Sequence, residues 1–334
     1  MRCFQQIGAT AVLLVVGCSE PNSGPETGRQ DTDGTQQVSV QLALNWYPES
    51  EHGGYFAADE LGIFDQHRLN VEIIPGSPGT SRVILQELAT GRVPFAISSA
   101  DQVVEQRARG LPIVALFAPV QQSPRCIMVH KSSGIASLEE LTNVELAVSE
   151  TRPFALWMKK HLPLTDVTFV PFNGLVGEFL SKPNFAQQAY VFSEPFIATE
   201  QGSDPVSLML SDIGYDPYAS VLVTSEQMLA DQPETVRKMQ QAVRAGWLEY
   251  LKDPQVTNMR IHSENPDMSL AALEYGTEAL STLCQPEDGA LIGTMTSARW
   301  QQLIDQLVEL EVIEKESVRA DDCFLADAEQ ENIQ

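Results

Sequence analysis

Residues 38–62 read VSVQLALNWYPESEHGGYFAADELG. The first seven alternate apolar and polar side chains, which predicts a β-strand over residues 38–44. A polar loop follows over residues 45–54, and the next seven residues predict a short helix over 55–61. Gly62 suits the left-handed conformation of a helix end because glycine has no Cβ. The segment is therefore predicted to form one β-loop-α unit.

The same order of elements continues downstream. Each predicted helix again ends at a glycine, Gly91 or Gly110. Repeated β-loop-α units are typical of a mainly parallel sheet covered by helices, so an α/β fold is expected. The predicted strands cover residues 70–74, 95–99 and 113–118, and the predicted helices cover 82–90 and 100–109.

A second set of elements starts near residue 123. Ser137 and Glu140 have the spacing of a capping box, which predicts a helix start. A strand over 220–224 returns the chain to the first set, before two long amphipathic helices. The second set contains predicted strands over 126–129, 145–148, 167–171, 189–192 and 206–210 and helices over 137–141, 154–161 and 177–180; the late helices cover 233–252 and 300–310.

This order predicts two lobes, because a single hydrophobic core stops growing near 250–300 residues. Lobe 1 is assigned to residues 38–122 and 219–334, and lobe 2 to residues 123–218. Open α/β sheets bind ligands at the carboxyl ends of their strands. We therefore expect a ligand cleft between the lobes.

The N-terminus has the organisation of a secretory signal. A basic start, Met1-Arg2, precedes an apolar run over residues 7–16 that is too short to span a membrane. The run ends in LVVGC, which resembles the bacterial lipobox and makes Cys18 the expected lipidation site; an ordinary signal with a chance cysteine is the alternative. Residues 1–17 are assigned to the signal peptide and 18–37 to a flexible tether, since 19–37 lack aliphatic and aromatic residues. The expected location is extracytoplasmic and membrane-anchored.

The charge and the cysteine content of the chain limit which partners and cofactors are expected. The formal net charge of −24 disfavours binding to nucleic acid, so none is expected as a partner. No CxxC motif occurs, so neither a zinc site nor a thioredoxin-like centre is expected. No cofactor is predicted. Cys284 and Cys323 could form a disulfide in an oxidising compartment and leave Cys126 free, or all three could be thiols.

Several short motifs in order resemble one family. The chain is similar to the ABC-transporter solute-binding proteins related to yeast thiamine-pyrimidine synthase and to the alkanesulfonate-binding proteins. The resemblance implies a two-lobed, periplasmic-binding-protein-like (type II) α/β fold with a ligand cleft between the lobes. It is carried by LNWYP (44–48), HGGYFAA (52–58), GIF (62–64), LNVEI (69–73), GRVPFAI (91–97), ARGLPIV (108–114) and IASLEEL (135–141).

Within the family, the chain looks closest to the riboflavin- and formylaminopyrimidine-binding members. Asn45-Trp46 with a nearby proline, YVFSEPF (190–196) and GYDPY (214–218) carry this narrower resemblance. It implies a lipoprotein that captures a flavin or pyrimidine vitamin precursor by hinge closure and delivers it to an ABC permease. A sulfonate- or nitrate-type binding protein is the alternative, and a pyrimidine-synthase-like enzyme is a weaker one.

The first loop supplies the first candidate ligand residues. The aromatic faces of Trp46 and Tyr47 would stack on a planar heterocycle, although either ring could be core packing instead. Asn45 precedes them, and His52 aligns through the resemblance with a histidine of the yeast synthase. For His52, a hydrogen bond to ligand or helix is the simpler interpretation.

The next candidates follow later strands. Ser98, Ser99 and Asp101 could bind the amide and ring-nitrogen groups of a pyrimidine, or could simply cap a helix. Gln121, like Gln122 beside it, could supply an amide to the same edge, or only tolerate a hinge position.

Lobe 2 and the returning segment complete the candidate set. Glu194 follows a strand, and its carboxylate could accept a hydrogen bond from an exocyclic amine or form a surface salt bridge. Tyr190 belongs to the same motif. Tyr215 and Tyr218 on the returning segment could close over the ring.

Catalysis is not expected, because the chain has no cysteine-rich run for iron, no HExxH motif and no Ser-His-Asp order. A sulfonate or nitrate site would need a cationic pocket, whereas the proposed lining is aromatic and acidic. The basic residues that could reverse this view are Arg82, Arg125 and Arg152.

Overall fold

The computed structural model describes residues 37–77, 79–286 and 289–326, without the side chains of Ser81 and Arg82. The predicted signal peptide, Cys18 and nearly all of the tether lie outside this range. No helix within it is both long and apolar enough to cross a membrane.

The first of two five-stranded sheets has the order β2-β1-β3-β10-β4. β1 pairs in parallel with β2 and with β3, and the alternating pattern of residues 38–44 forms its strand as expected. The strands are β1 (Val38–Ala43), β2 (Leu69–Ile74), β3 (Phe95–Ser98), β4 (Ile113–Phe117) and β10 (Val221–Ser225).

The second sheet has the order β7-β6-β8-β5-β9 and lies wholly between the two passages of the chain through the first. Its strands are β5 (Arg125–His130), β6 (Glu145–Val148), β7 (Thr168–Pro171), β8 (Phe185–Tyr190) and β9 (Pro205–Met209).

Four of the five strands in each sheet run in the same direction, which confirms the expected α/β class with mainly parallel sheets. The exceptions are β10, antiparallel to β3 and β4, and β5, antiparallel to β8 and β9. Both strands directly follow a passage from the other sheet. The chain therefore enters β5 and β10 at the end of the sheet that faces the cleft. It leaves the other strands at that same end.

Helices cover the sheets. α1 begins at Gly53, earlier than predicted, and packs against the long helix α9. The helices are α1 (Gly53–Glu60), α2 (Ile63–Gln66), α3 (Thr80–Ala89), α4 (Ala100–Ala108), α5 (Pro153–His161), α6 (Gly177–Ser181), α7 (Glu194–Glu200), α8 (Glu226–Asp231), α9 (Pro233–Lys252), α10 (Gln255–Glu264), α11 (Leu270–Leu283) and α12 (Ser297–Glu309).

The helix predicted at Ser137 is wrong. The structure has only one turn of 3₁₀ helix there, Leu138–Glu140, and Leu141 already leaves helical geometry with ψ 113°. The Ser137 side chain caps nothing, while the Glu140 carboxylate accepts a hydrogen bond from the Ala136 amide. The short connection to β6 leaves no room for further turns.

The disulfide considered between Cys284 and Cys323 does not form. Both are free thiols, as is Cys126, and all three are buried. Cys284 packs in the cluster around Trp247, whereas Cys323 packs in a different cluster around Trp300. Each sulfur fills apolar space, and burial raises the pKa of each thiol.

Two crossing segments, 118–124 and 210–220, connect the sheets and are held together. Ala219 donates its amide to the Val120 carbonyl at 3.2 Å, and Ser123 donates its amide to the Asp216 carboxylate at 2.6 Å. Arg299 on α12 donates to the Gln121 carbonyl at 2.6 Å and to the Asp216 carboxylate at 3.2 Å. Arg299 therefore links the two crossing segments.

Candidate functional site

A cavity of about 300 Å³ lies where the carboxyl ends of strands from both sheets meet. Lobe 1 contributes the loop after β1 and the end of β3, and lobe 2 contributes the ends of β6 and β8 and the start of β5. This is the position where α/β sheets bind ligands. The wall is formed by Asn45, Trp46, Glu49, Glu51, Gly79, Ser98, Ser99, Gln102, Arg125, Ser149, Arg152, Phe154, Phe172, Gln188, Ala189, Tyr190, Glu194 and Ser220.

Trp46 offers an aromatic surface in this wall. It is half-buried, and its ring meets the edge of Tyr47 with centroids 5.5 Å apart. Tyr47 is 45 % exposed and is not part of the wall. Of the two adjacent rings, only Trp46 is available to a ligand inside the cavity.

His52 lies behind the wall and organises the first loop. Its Nδ1 accepts a hydrogen bond from the Glu49 amide at 3.3 Å, so Nε2 donates to Asn45 Oδ1 at 2.9 Å. Asn45 in turn donates to the Glu51 carboxylate at 3.1 Å. Burial lowers the pKa of His52 to about 3, so the ring is neutral. It is a positioning residue for Asn45 and Glu51.

Three glutamates share the cavity. Burial raises the pKa of Glu51 to about 7, and it raises the pKa of Glu49 well above its usual value, with the Glu51 charge adding to the effect. Burial also raises the pKa of Glu194, although its carboxylate accepts a hydrogen bond from the Tyr190 amide at 2.8 Å. The Ser193 hydroxyl donates to Glu49 at 3.1 Å across the lobes. Burial therefore favours the neutral form of all three carboxyls.

Lobe 2 places two arginines in the same wall. The Arg125 guanidinium lies 4.5 Å from the Phe154 ring centroid and 4.7 Å from that of Tyr190. Its Nη2 donates to the Tyr190 hydroxyl at 2.8 Å. Arg152 directly precedes α5 as its N-cap residue. The wall therefore carries positive charge that the predicted aromatic and acidic lining did not include.

The residues at and after the end of β3 have two roles: some form the cavity wall, and others support it. Ser98 and Ser99 belong to the wall, and the buried Ser98 hydroxyl has no hydrogen-bond partner. Asp101 faces away from it: its carboxylate accepts from the Ser99 hydroxyl, from the Gln102 amide at 2.9 Å and from the Tyr215 hydroxyl at 3.3 Å. Asp101 and Tyr215 therefore stabilise the start of α4 beneath the cavity.

Gln121 and Tyr218 belong to the crossings. Gln121 donates its side-chain amide to the carbonyls of Ala118 at 2.7 Å and Thr294 at 3.0 Å. The Tyr218 hydroxyl accepts from the Thr296 amide at 3.2 Å, and the Arg299 guanidinium lies 4.0 Å from its ring centroid. Both side chains form contacts at the crossing segments, and neither is part of the cavity wall.

The structure thus brings six of the twelve candidate residues together in one wall: Asn45, Trp46, Ser98, Ser99, Tyr190 and Glu194. The other six lie outside it: Tyr47, His52, Asp101, Gln121, Tyr215 and Tyr218. Sequence reasoning did not select Glu49 and Glu51, although both lie in the same loop as Trp46. It named Arg125 and Arg152 only as exceptions; Arg152 follows the end of β6, a position that could have selected it, whereas Arg125 is the first residue of β5.

Within the described part of the chain, no group of three or more His, Cys, Asp or Glu side chains is arranged to hold a metal ion. The three cavity glutamates are included in that statement. What the arrangement offers chemically is an aromatic face, carboxyls that accept from amines, and guanidinium donors.

Comparison with known proteins gives consistent matches. The model of the family described as NMT1/THI5 like matches residues 49–257. The formylaminopyrimidine-binding protein of Halalkalibacterium halodurans is 21 % identical over 339 residues, covering 97 % of this chain and 98 % of the relative. The riboflavin-binding protein RibY of Chloroflexus aurantiacus is 24 % identical over 268 residues, covering 74 % of each chain.

Solved structures share the fold. The periplasmic aliphatic sulphonate-binding protein SsuA of Escherichia coli superposes with a TM-score of 0.65 at 11 % identity. The match covers 83 % of this chain and 89 % of the other. At this identity the similarity extends to the two-lobed architecture and no further.

Proposed function

The chain belongs to the NMT1/THI5-like family, and on that premise we propose that it is the extracytoplasmic solute-binding protein of an ABC importer. It captures a small molecule and presents it to the transmembrane permease. The full-length similarity to a formylaminopyrimidine-binding protein supports this role.

The proposed ligand is a flat, amine-bearing heterocycle, a flavin or pyrimidine vitamin precursor. One observation carries this proposal: Trp46 shares a cavity with the carboxyls of Glu49, Glu51 and Glu194. A planar ring would stack on the indole, and its exocyclic amines would donate to the carboxyls. The names of the two binding-protein relatives agree with this class.

Capture proceeds by closure of the lobes about the crossings. Trp46 and Glu51 belong to lobe 1, and Tyr190 and Glu194 to lobe 2, so a ligand that touches both walls favours the closed form. The Ser193–Glu49 hydrogen bond is one contact that closure makes between lobes.

The proposal includes a lipid anchor. Cys18, after its signal peptide, carries the lipid, and the tether of residues 18–37 holds the lobes away from the membrane. Two or three acyl chains on one residue hold a protein on a bilayer far better than one chain does.

Binding of a sulfonate or nitrate is the second candidate, and Arg125 and Arg152 favour it. Three carboxyls in the same wall oppose a small bare anion, because each one that ionises repels it.

A thermal-shift screen tests the ligand class. The chain without residues 1–18 would be melted with riboflavin, 4-amino-5-hydroxymethyl-2-methylpyrimidine, formylaminopyrimidine, thiamine, taurine and nitrate. We expect a flavin or pyrimidine to raise the melting temperature, because a ligand that binds only the folded chain stabilises it. Stabilisation by taurine or nitrate alone would establish the second candidate instead.

A further inference from the structure

The two lobes differ in the charged side chains that they present to the cavity, since both contribute carboxyls but the arginines come from lobe 2. Lobe 1 contributes Trp46, Glu49 and Glu51, whereas lobe 2 contributes Arg125 and Arg152 together with Glu194. A ligand that needed only an aromatic face and carboxyl acceptors would leave the two guanidinium groups without a function. Both arginines are half-buried, and taking charge partly out of water is costly unless the charge gains a partner.

Both arginines retain unused donors. A guanidinium has five N–H donors, and Arg125 uses one nitrogen, Nη2, in its hydrogen bond to the Tyr190 hydroxyl. Within the described residues, the Arg152 side chain makes no hydrogen bond, and neither arginine forms an ion pair with a carboxylate. The Arg125 guanidinium lies 4.5 Å from the ring centroid of Phe154 and 4.7 Å from that of Tyr190, and these contacts limit its movement in the wall.

Further features of the wall favour an acceptor. Ser98 is fully buried, lines the cavity and has a hydroxyl without a partner. The nine-residue helix α5 starts at Pro153, so its positive end lies beside Arg152. Because burial raises the pKa of Glu49 and Glu51, these side chains carry less negative charge than their number suggests.

We propose that the ligand has two poles: an amine-bearing ring bound on Trp46 and the lobe 1 glutamates, and an oxyanion group bound by Arg125 and Arg152 of lobe 2. The oxyanion is a phosphate ester or a carboxylate carried on the heterocycle. This inference rests on the proposed function and narrows it, because it excludes the neutral heterocycle as the preferred solute. The two poles also contact different lobes, so such a ligand links them when they close.

Matched pairs of ligands test the second pole in the wild-type protein. Isothermal titration calorimetry would compare 4-amino-5-hydroxymethyl-2-methylpyrimidine with its phosphate ester and with the corresponding 5-carboxylate, and riboflavin with flavin mononucleotide. Charge-assisted hydrogen bonds from an arginine predict that at least one oxyanion-bearing compound binds about tenfold more tightly than its neutral partner, or better. The phosphate and carboxylate arms distinguish the two oxyanions.

Variants assign the preference to its residues. Arg152→Gln should remove most of the preference, measured as the ratio of the dissociation constants of the neutral and the oxyanion-bearing compound in that variant. Lys131→Gln is the matched control, because it removes one positive charge from lobe 2 outside the cavity wall. A melting curve of each variant checks that it is folded, and the wild-type comparison stands even if Arg125→Gln does not fold.

The outcomes separate the two proposals. Equal or tighter binding of the neutral compounds would overturn the two-pole inference and leave the proposed function intact. A preference that survives in Arg152→Gln and in folded Arg125→Gln would also overturn it. If none of these heterocycles bound, the proposed function would fall, and the inference with it.

Discussion

Glu51 connects the chemistry of the cavity to the stability of the fold. It is 1 % exposed, and its carboxyl accepts from Asn45, which His52 orients. Burial moves the pKa of Glu51 up and that of His52 down, each towards the neutral form. The lobe 1 acid in the wall and the imidazole behind it are therefore both held towards their neutral forms until a ligand supplies a partner.

Glu51→Gln should change how stability depends on pH. The native carboxyl keeps its proton up to about pH 7, while the unfolded one releases it near 4.5. Its favourable contribution is therefore complete below about pH 4.5 and is lost as the pH rises to about 7. His52 acts in the opposite direction between about pH 3 and 6.5, so only the difference between variant and wild type isolates Glu51.

Urea denaturation between pH 4.5 and 7.5 measures that difference. The free energy of unfolding of Glu51→Gln, relative to wild type, should rise by up to about 3 kcal/mol across this range. Glu139→Gln, at an exposed position, serves as the control. Parallel curves for Glu51→Gln and wild type would contradict this account.

Trp46→Ala should weaken the binding of the heterocycle about tenfold, because it removes both stacking and buried area. Since Trp46 is only half-buried, the loss in melting temperature should be small. The control is Tyr47→Ala, because Tyr47 lies outside the wall. Titration calorimetry of the two variants measures the loss of affinity in each. A larger effect of Tyr47→Ala than of Trp46→Ala would move the stacking surface to Tyr47.

At the scale of elements, the contact of α1 with α9 holds the first loop against the body of lobe 1. Gly54 lies against the Trp247 ring, where an added Cβ would come within 2.1 Å of the indole. On the other helix, a Cβ at Gly246 would come within 2.2 Å of the Gly54 carbonyl oxygen. The two glycines let the helices approach closely, and so fix the position of the loop that carries Trp46.

Gly246→Ala should therefore destabilise the protein by about 1–3 kcal/mol, because the opposing atoms belong to backbone and cannot turn aside. Gly177→Ala is the control: it also adds one methyl group to a helix, and its Cβ would meet nothing within 4 Å. Urea denaturation measures both free energies of unfolding. If the two variants had equal free energies of unfolding, α1 and α9 could move apart to accommodate the added methyl group at little cost, which would contradict this prediction.

Local patterns predicted the elements well, and contacts distant in sequence explain where they did not. The strand before Asn45 and the helix ends at Gly62, Gly91 and Gly110 follow from alternation and from the missing Cβ. The roles of Asp101 and Gln121 could not be predicted, because their partners Tyr215 and Thr294 are more than 100 residues away. The contacts of Arg299 with Gln121 and Asp216 could not be predicted either, because these partners are also distant in sequence.

The cavity was predicted in part. Trp46 and Glu194 follow strands whose carboxyl ends meet in the structure, so position alone identified them. The predicted lining was aromatic and acidic and did not include Arg125 and Arg152, and nothing in the sequence indicates that Arg125 would lie beside the rings of Phe154 and Tyr190. That packing depends on the antiparallel pairing of β5 with β8, with Arg125 opposite Tyr190.

At the scale of the whole molecule, the proposed function joins a lipid anchor at Cys18 to the two lobes. Under that proposal, a receptor tethered to the membrane stays near the permease while it captures its solute. Cys18→Ser should move the protein from the membrane fraction to the soluble fraction without altering the melting temperature of the folded lobes. Fractionation and intact mass of the purified protein measure this. Retention of the variant on membranes would argue against lipidation at this residue.

The central claim is that the cavity between the lobes binds an amine-bearing heterocycle. The most direct test is isothermal titration calorimetry of the wild-type chain with the pyrimidine and flavin compounds, and with taurine, under identical conditions. We expect saturable binding of one heterocycle per chain and no measurable heat of binding from taurine. Saturable binding of taurine, with none from any of the heterocycles, would contradict the account.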